Sequence, residues 1–268
     1  RKNIITPDII RMDIREPEIA AKRRAGQFVI LRAKETGERI PLTIADASAE
    51  EGWISIIFQI VGKATHDFAA LKEGDSFLDV AGPLGNPTHI ENWGHVLCVG
   101  GGIGVAPLYP IVKALKAAGN RVTTIIGARS RDLLILRDEM DAASDTLLAA
   151  TDDGSFGHKG FVTDLVAKVA EEDRPDMVFA IGPVVMMKAV CCITKPADLP
   201  TMVSLNAIMV DGTGMCGGCR VSVGDETKFT CVDGPEFDGL RVDFDELQQR
   251  LSSYKTQEKH SCKLHSEE

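Results

Sequence analysis

From residue 95 onward the sequence alternates between short apolar strands and amphipathic helices. The run at 95–101 is apolar and ends in glycines, and further strands are predicted at 121–128, 146–153 and 176–182. Between them, apolar residues recur with the spacing of one helix face, at Leu108, Ile111, Val112 and Leu115 and again at Val162, Leu165, Val166 and Val169. Because parallel strands need a crossover connection, this alternation predicts βαβ units around a parallel sheet.

The first ninety residues follow a different pattern, with several short strands and little helix. Runs rich in β-branched and aromatic residues occupy 26–33, 39–47, 53–61 and 75–82, and one short helical piece is predicted at 64–72. Strands this close together, with turn residues between them, are typical of an antiparallel barrel.

Two changes of composition divide the chain. Proline and glycine accumulate at 82–94, and a glycine- and cysteine-rich segment begins after residue 200. The predicted multi-domain organisation is an antiparallel β-barrel at 1–90, an α/β nucleotide domain at 91–200, a cysteine module at 201–240 and a C-terminal helix with a polar tail at 241–268.

The net charge of −9 limits the partners of the chain. A protein this acidic is not expected to bind nucleic acid or an anionic membrane surface. The longest apolar stretch, 53–61, is too short to span a bilayer, and 1–18 lacks the apolar core of a signal peptide. Seven cysteines are too few for a disulfide scaffold in a chain of 268 residues, so a reducing cytoplasm is expected.

The glycine-rich stretch at 99–110 lies between a predicted strand and a predicted helix. Glycines there let a backbone approach a pyrophosphate, and a helix N-terminus offers free N–H groups to it. The spacing differs from the usual dinucleotide fingerprint, and a tight strand-to-helix turn is the structural alternative. The context favours nucleotide binding, with Gly101, Gly102, Ile103 and Gly104 as the candidate contacts.

The next predicted strand ends in Arg129, with Arg131 two residues later. No acidic residue stands where many NAD-binding domains hold the ribose, so these arginines suit a 2′-phosphate. Two solvated arginines beyond a strand end are the structural alternative. The choice between NAD and NADP stays open at this point.

Three cysteines at the C-terminal side carry the strongest chemical signal. Cys216, Cys219 and Cys231 fit a zinc site that lacks its fourth ligand. They also fit the plant-type iron–sulfur spacing if Asp211, five residues before Cys216, replaces the first cysteine. The absence of a second close ligand pair beside Cys231 favours a [2Fe–2S] cluster over zinc. Two further sites, Cys98 and the pair 191–192, are interpreted as packing residues.

These features resemble the ferredoxin reductase-like flavoprotein family over nearly the whole chain. The stretch 39–43 resembles the flavin motif of that family, and 58–65 resembles the segment whose glycine and threonine approach the FAD pyrophosphate. Arg39 departs from the motif, because it stands one residue further from Thr43 than usual. The resemblance implies FAD contacts at Arg39, Pro41, Leu42, Thr43, Phe58, Gln59, Ile60, Gly62, Ala64 and Thr65.

The cysteine segment resembles two branches of iron–sulfur flavoproteins. It is similar to the electron-transfer subunit of dihydroorotate dehydrogenase. With Asp211 in place of a cysteine, it looks more like the small subunit of NADH-dependent ferredoxin:NADP⁺ oxidoreductase, an electron-bifurcating enzyme, or of sulfide dehydrogenase relatives. That resemblance implies Asp211, Cys216, Cys219 and Cys231 as the cluster ligands.

The implied chemistry is electron transfer between NAD(H), FAD and the [2Fe–2S] cluster, with NADP(H) less favoured. A flavin is needed because a nicotinamide delivers a hydride and a cluster accepts single electrons. No acid–base residue is expected, and no catalytic residue is assigned. The resemblance implies a larger flavin and iron–sulfur subunit as the partner, in a heterodimer or larger assembly, with ferredoxin reached indirectly. A zinc-stabilised nucleotide-binding module is the alternative from another class.

Overall fold

The computed structural model describes residues 1–253. Six strands of the N-terminal part form one antiparallel sheet in the order β1-β2-β5-β4-β3-β6. Two short helices accompany it, α1 (Pro17–Lys22) and α2 (Lys63–Ala70). The strands are β1 (Lys2–Thr6), β2 (Ile9–Arg15), β3 (Phe28–Arg32), β4 (Ile40–Ser48), β5 (Trp53–Gln59) and β6 (Asp79–Leu84).

The predicted barrel is corrected to an open sheet. Within residues 1–253, the edge strands β1 and β6 pair only with β2 and β3, respectively. Helix α2 and the turn after it occupy the gap: the Lys2 amide donates to Glu73 Oε1 at 2.8 Å, and Lys34 Nζ lies 2.8 Å from Asp67 Oδ1. The Lys2 amide of β1 therefore binds this helical segment, and β1 does not pair with β6.

Aromatic packing holds α2 in that place. Phe68 of α2 is 1% exposed and meets Phe58 of β5 and Phe77 edge-on, with ring centroids 5.9 and 4.9 Å apart. Edge-to-face contacts of this kind add to the free energy gained by burying each ring. The helix is thus part of the core of the antiparallel sheet, together with Ile54 and Ile56 of β5.

The second sheet confirms the predicted parallel arrangement. Its order is β10-β9-β8-β7-β11-β12-β15, and all neighbouring pairs are parallel except the last. The strands are β7 (His95–Gly101), β8 (Arg121–Ala128), β9 (Thr146–Thr151), β10 (His158–Lys159), β11 (Met177–Ile181) and β12 (Thr201–Ser204). The helices are α3 (Val105–Ala117), α4 (Arg137–Ala143), α5 (Val162–Glu172) and α6 (Val184–Thr194).

The cysteine-rich segment adds a hairpin, an edge strand and a helix. Strands β13 (Arg220–Val223) and β14 (Glu226–Phe229) form the hairpin. Strand β15 (Glu236–Asp238) pairs antiparallel with β12 and so extends the parallel sheet. Helix α7 (Phe244–Ser252) begins at Asp243, whose carboxylate accepts from the backbone N–H groups of the first turn. The rest of the predicted polar tail, residues 254–268, lies outside the described residues.

An ion pair at Asp46 joins the N-terminal sheet to a helix of the parallel-sheet part. This half-buried carboxylate of β4 accepts from Lys113 of α3 at 2.9 Å and lies 3.7 Å from Arg23. Burial lowers the pKa of Arg23, and the charge of Asp46 opposes that shift. The contact fixes helix α3 against the N-terminal sheet, so that the carboxyl end of β7 faces β4 and β5. None of the helices in residues 1–253 has the length and apolar character needed to cross a membrane.

Candidate functional site

The glycine turn after β7 is built by close packing as well as by backbone conformation. A Cβ atom on Gly104 would lie 2.4 Å from the Ile181 carbonyl oxygen, and one on Gly101 would lie 2.3 Å from Met186 Sδ. Gly102 has φ +55° and open space beside it. The turn therefore packs directly against the backbone at the end of β11, and it leaves open space beside the backbone at Gly102.

One cavity, which we call the inner cavity, lies between the two sheets and the cysteine-rich segment. Its volume is about 620 Å³, and it is lined by β4, β5, the glycine turn and the stretch 204–209. Of the predicted cofactor contacts, the inner cavity contains Pro41, Leu42, Thr43, Gln59, Gly101, Gly102, Ile103 and Gly104.

The stretch 204–209 was not predicted to contact a cofactor, although Ser204, Asn206 and Met209 line the inner cavity. Most of it has no regular secondary structure and therefore no periodic pattern. Its position after the last parallel strand was the one available signal, because ligands bind beyond the carboxyl ends of such strands.

A second cavity, the outer cavity, lies at the carboxyl ends of β7, β8 and β9. Its volume is about 540 Å³, and it shares Gln59, Pro183 and the 101–103 stretch with the inner cavity. Arg129, a predicted nucleotide contact, lines this cavity, whereas Arg131 does not and lies over the Phe156 ring at 5.8 Å. The two cavities therefore meet across the glycine turn.

Most residues of the outer cavity were not predicted as contacts, and three of them bear on its chemistry. Asp152 follows β9 and places a carboxylate at the cavity wall. Phe161 immediately precedes helix α5 and is 64% exposed. Val185 lies in the first turn of helix α6 and is 59% exposed. An apolar surface that is exposed beside a cavity suits the flat face of a ring.

Other predicted FAD contacts have side chains engaged elsewhere. Arg39 pairs with Asp79 at 3.1 Å, beside Arg32, whose hydrogen bond lowers the pKa of Asp79. Phe58 is buried beneath the sheet. The Thr65 hydroxyl accepts from the backbone N–H groups of Val61 and Gly62, each at 3.0 Å.

The remaining predicted FAD contacts lie at the start of helix α2: Ile60, Gly62, Ala64 and Thr65. Gly62 has open space where a side chain would be, and Ala64 is buried. The backbone at 60–65 and the main chain at Phe58 remain predicted contacts for the FAD pyrophosphate.

The cysteine loop brings the predicted ligands together in two pairs. Cys219 and Cys231 are buried, and their sulfur atoms lie 3.2 Å apart. Asp211 and Cys216 form the other pair, since Asp211 Oδ2 accepts from the Cys216 amide at 2.8 Å and its carboxylate also contacts the Cys216 side chain. Hydrogen bonds, first that from the Thr213 amide, lower the pKa of Asp211, so the carboxylate is ionised at neutral pH.

This arrangement suits a cluster with two iron atoms better than a single ion. In residues 1–253, no three histidine, cysteine or acidic side chains are placed to hold one metal ion. A [2Fe–2S] cluster instead takes two ligands at each iron. Burial raises the pKa of Cys231 to about 12, with Cys219 contributing, so a bound metal is needed to hold Cys231 as a thiolate. The donor set therefore fits a [2Fe–2S] cluster.

The two sheets, the two adjoining cavities and the cysteine loop define an oxidoreductase of the ferredoxin reductase-like class with an added iron–sulfur module. Two family models match the chain. The oxidoreductase NAD-binding domain covers 98–192, and the iron–sulfur cluster binding domain of dihydroorotate dehydrogenase B covers 206–243. The predicted nicotinamide-nucleotide and iron–sulfur parts are confirmed by these matches.

Relatives cover nearly the full chain. The dihydroorotate dehydrogenase B (NAD⁺) electron transfer subunit homolog of Thermotoga maritima is 54% identical over 97% of this chain and 92% of the relative. A probable subunit of the same kind from Methanopyrus kandleri is 36% identical over 82% of this chain and 81% of the relative. This chain belongs to the family of dihydroorotate dehydrogenase B electron transfer subunits and their homologues.

A solved structure adds the second predicted branch. It is a chain from an NADH-dependent reduced ferredoxin–NADP oxidoreductase, reported for its insight into flavin-based electron bifurcation. The TM-score is 0.93 at 53% identity, and the match covers 97% of this chain and 94% of that chain. The predicted resemblance to this group is confirmed.

A half-buried carboxyl joins the cysteine-rich segment to the linker between β6 and β7. Glu236 of β15 follows Pro235, which lines the inner cavity, and accepts from the Thr88 hydroxyl at 2.6 Å. Burial raises its pKa to about 7, and the Thr88 hydrogen bond opposes that shift only in part. The folded protein thus binds a proton here that the unfolded chain has released, between pH 4.5 and pH 7.

Replacing Glu236 with Gln keeps an acceptor for Thr88 and removes the charge. Because the pKa is raised on folding, the parent loses stability as pH rises through this range. We expect the free energy of unfolding of Glu236→Gln to exceed that of the parent by about 1–2 kcal/mol at pH 8 and by much less at pH 5. Urea unfolding at both pH values measures this, and an equal difference at the two would contradict the assignment.

Proposed function

We propose that this chain is the electron-transfer subunit of a heteromeric NADH-dependent oxidoreductase, most closely of the ferredoxin:NADP⁺ type. The observation that carries the proposal is the shared wall of the two cavities at 101–103, with the inner cavity reaching the segment that leads to the cysteine loop. A nicotinamide nucleotide in the outer cavity and a flavin in the inner cavity would meet at Gly102. The proposed cluster ligands begin at Asp211, two residues after Met209 in the wall of the proposed flavin site.

The inner cavity suits the ring system of FAD. Leu42 and Ile103 provide apolar walls, while Thr43, Gln59 and Asn206 provide polar groups at its edge. When bound, FAD accepts a hydride and passes electrons on singly. The chain's own contribution is to orient the ring and to exclude water from it, so no acid–base side chain is required.

The outer cavity suits the nucleotide half of NAD(H). Phe161 and Val185 offer apolar surface for an adenine ring, and Arg129 offers a cation for the pyrophosphate or ribose phosphate. Asp152 places a carboxylate in the same cavity. A carboxylate accepts from ribose hydroxyls and repels a 2′-phosphate, which supports NAD(H) over NADP(H).

The surface around the cysteine loop supports docking of a larger redox subunit. Met215 is 88% exposed, and Val210 and Val232 are 58% and 41% exposed, close to the predicted ligands in sequence. Exposed apolar residues grouped around a redox site suit a protein interface. The proposed partner is a larger flavin and iron–sulfur protein that reaches ferredoxin, and the complex is proposed to be cytoplasmic.

The rival within this class is the electron-transfer subunit of a dihydroorotate dehydrogenase, the activity for which several relatives are named. Asp211 disfavours it, because the resemblance places a cysteine at this position in that branch. Dihydroorotate oxidation by the purified complex would favour this rival, and reduction of NADP⁺ by NADH together with reduced ferredoxin would exclude it.

The optical spectrum of the purified chain tests the cofactors. We expect flavin absorption with a further band extending to the red, about two iron atoms per chain and bleaching by NADH. A colourless protein that contains zinc would contradict the proposal and support the zinc-stabilised module.

Asp211 generates a second test. A carboxylate oxygen is a harder ligand than a thiolate and donates less charge to iron, so Asp211→Cys should keep the cluster, hold iron more tightly and shift its potential. Asp211→Ala should lose the cluster during purification. EPR spectra and redox titrations of the parent and Asp211→Cys decide this, and identical results would mean that Asp211 does not bind iron.

Phe161 generates a third test. If its ring stacks on adenine, Phe161→Ala should raise the KM for NADH by about tenfold and leave kcat unchanged, measured by ferricyanide reduction. Reduced nicotinamide mononucleotide lacks adenine, so its KM should not move. The exposed Ile4, in β1, supplies the control Ile4→Ala. Equal effects on both substrates would contradict adenine stacking.

A further inference from the structure

Helix α7 lies outside the matched iron–sulfur domain, which ends at residue 243. Its first turn is tied to the parallel sheet, because Lys188 of α6 donates to Asp245 at 2.6 Å. Its apolar side is held by Phe244 and Leu247, which are buried. The helix is therefore fixed at one end, and its other end runs toward the cysteine loop.

The last turn of α7 contacts that loop through Arg250. The half-buried Arg250 donates from Nη2 to the Gly218 carbonyl oxygen at 3.2 Å. Arg220 donates to the neighbouring Gly217 carbonyl at 3.4 Å. Two consecutive carbonyls between Cys216 and Cys219 therefore face guanidinium groups.

Gly218 is engaged on its other side as well. Its amide N–H lies 3.4 Å from Cys216 Sγ, within the range of an N–H···S hydrogen bond. A groove of about 650 Å³ runs beside this contact and is lined by Cys216, Gly218 and Arg250. Loss of the guanidinium would leave the Gly218 carbonyl facing that groove, with the loop free to turn.

We propose that Arg250 is a positioning residue for the cluster loop: it holds Gly218 with its N–H on the Cys216 sulfur and places a fixed cation beside the cluster. This inference rests on the [2Fe–2S] cluster of the proposed function. Hydrogen bonds to cluster sulfur atoms and nearby positive charge both favour the reduced form, because reduction adds negative charge. Arg250 therefore raises the reduction potential and slows the loss of iron.

The test compares Arg250→Gln, Arg250→Lys and a matched control. Arg174 supplies the control Arg174→Gln, because it too donates to backbone carbonyls, of Ala197 and Asp198, but in the parallel-sheet part. The measurements are the potential from an EPR-monitored redox titration of the full chain and the rate of iron transfer to a chelator.

We expect Arg250→Gln to lower the potential and to lose iron about tenfold faster than the parent. Arg250→Lys keeps the charge but not the planar fork, so its potential should fall less while its iron loss stays fast. Arg174→Gln should match the parent. If Arg250→Gln also matches the parent in both measurements, Arg250 only ends a helix and the inference is overturned; if it fails to fold, Arg250→Lys decides by its iron loss.

A parent chain without a [2Fe–2S] EPR signal would instead overturn the proposed function. Hydrogen–deuterium exchange of the iron-free full chain still tests the loop contact in that case. Faster exchange of the 217–219 amides in Arg250→Gln than in Arg174→Gln supports the positioning role, and equal exchange contradicts it.

Discussion

The close approach of the turns after β7 and β11 is the constraint on which the rest of the site depends. Gly104 lies against the backbone at Ile181 and Gly182 with no space for a Cβ atom. The two strands are paired in the sheet up to Gly100 and Ile181, and this contact holds the turn after β7 against the turn after β11, so that the backbone at Gly102 becomes the common wall of both cavities. A hydride crosses between two rings only when they touch, so a thick side-chain wall here would separate the proposed cofactors.

The sequence predicted the elements whose patterns are local. Helices α3 and α5 and strands β7, β8, β9 and β11 were predicted from apolar runs and spacing, because one face of each helix packs on the sheet. The predicted ligand set followed from spacing too, and the structure places Asp211 beside Cys216.

What the sequence did not reveal depends on contacts distant along the chain. The open edge of the N-terminal sheet is set by Lys2 binding near α2, about seventy residues away. Strands β1 and β2 were missed because charged residues interrupt their apolar pattern. Asp152 and the stretch 204–209 can be recognised as cavity residues only once the sheet brings the strand ends together. Arg250, placed in a polar C-terminal segment, acquires a partner only through the position of α7.

The pairing of β15 with β12 has a consequence for electron transfer within the chain. Met202, Val203 and Ser204 are hydrogen-bonded in register to the strand that follows the cysteine loop. Carrier domains on free linkers move between donor and acceptor, and their turnover is then limited by that motion. Here the loop is built into the edge of the same sheet that presents the nucleotide site. The distance between the proposed nucleotide site and the proposed cluster is thereby set when the protein folds, so transfer between them would need no movement of a carrier domain.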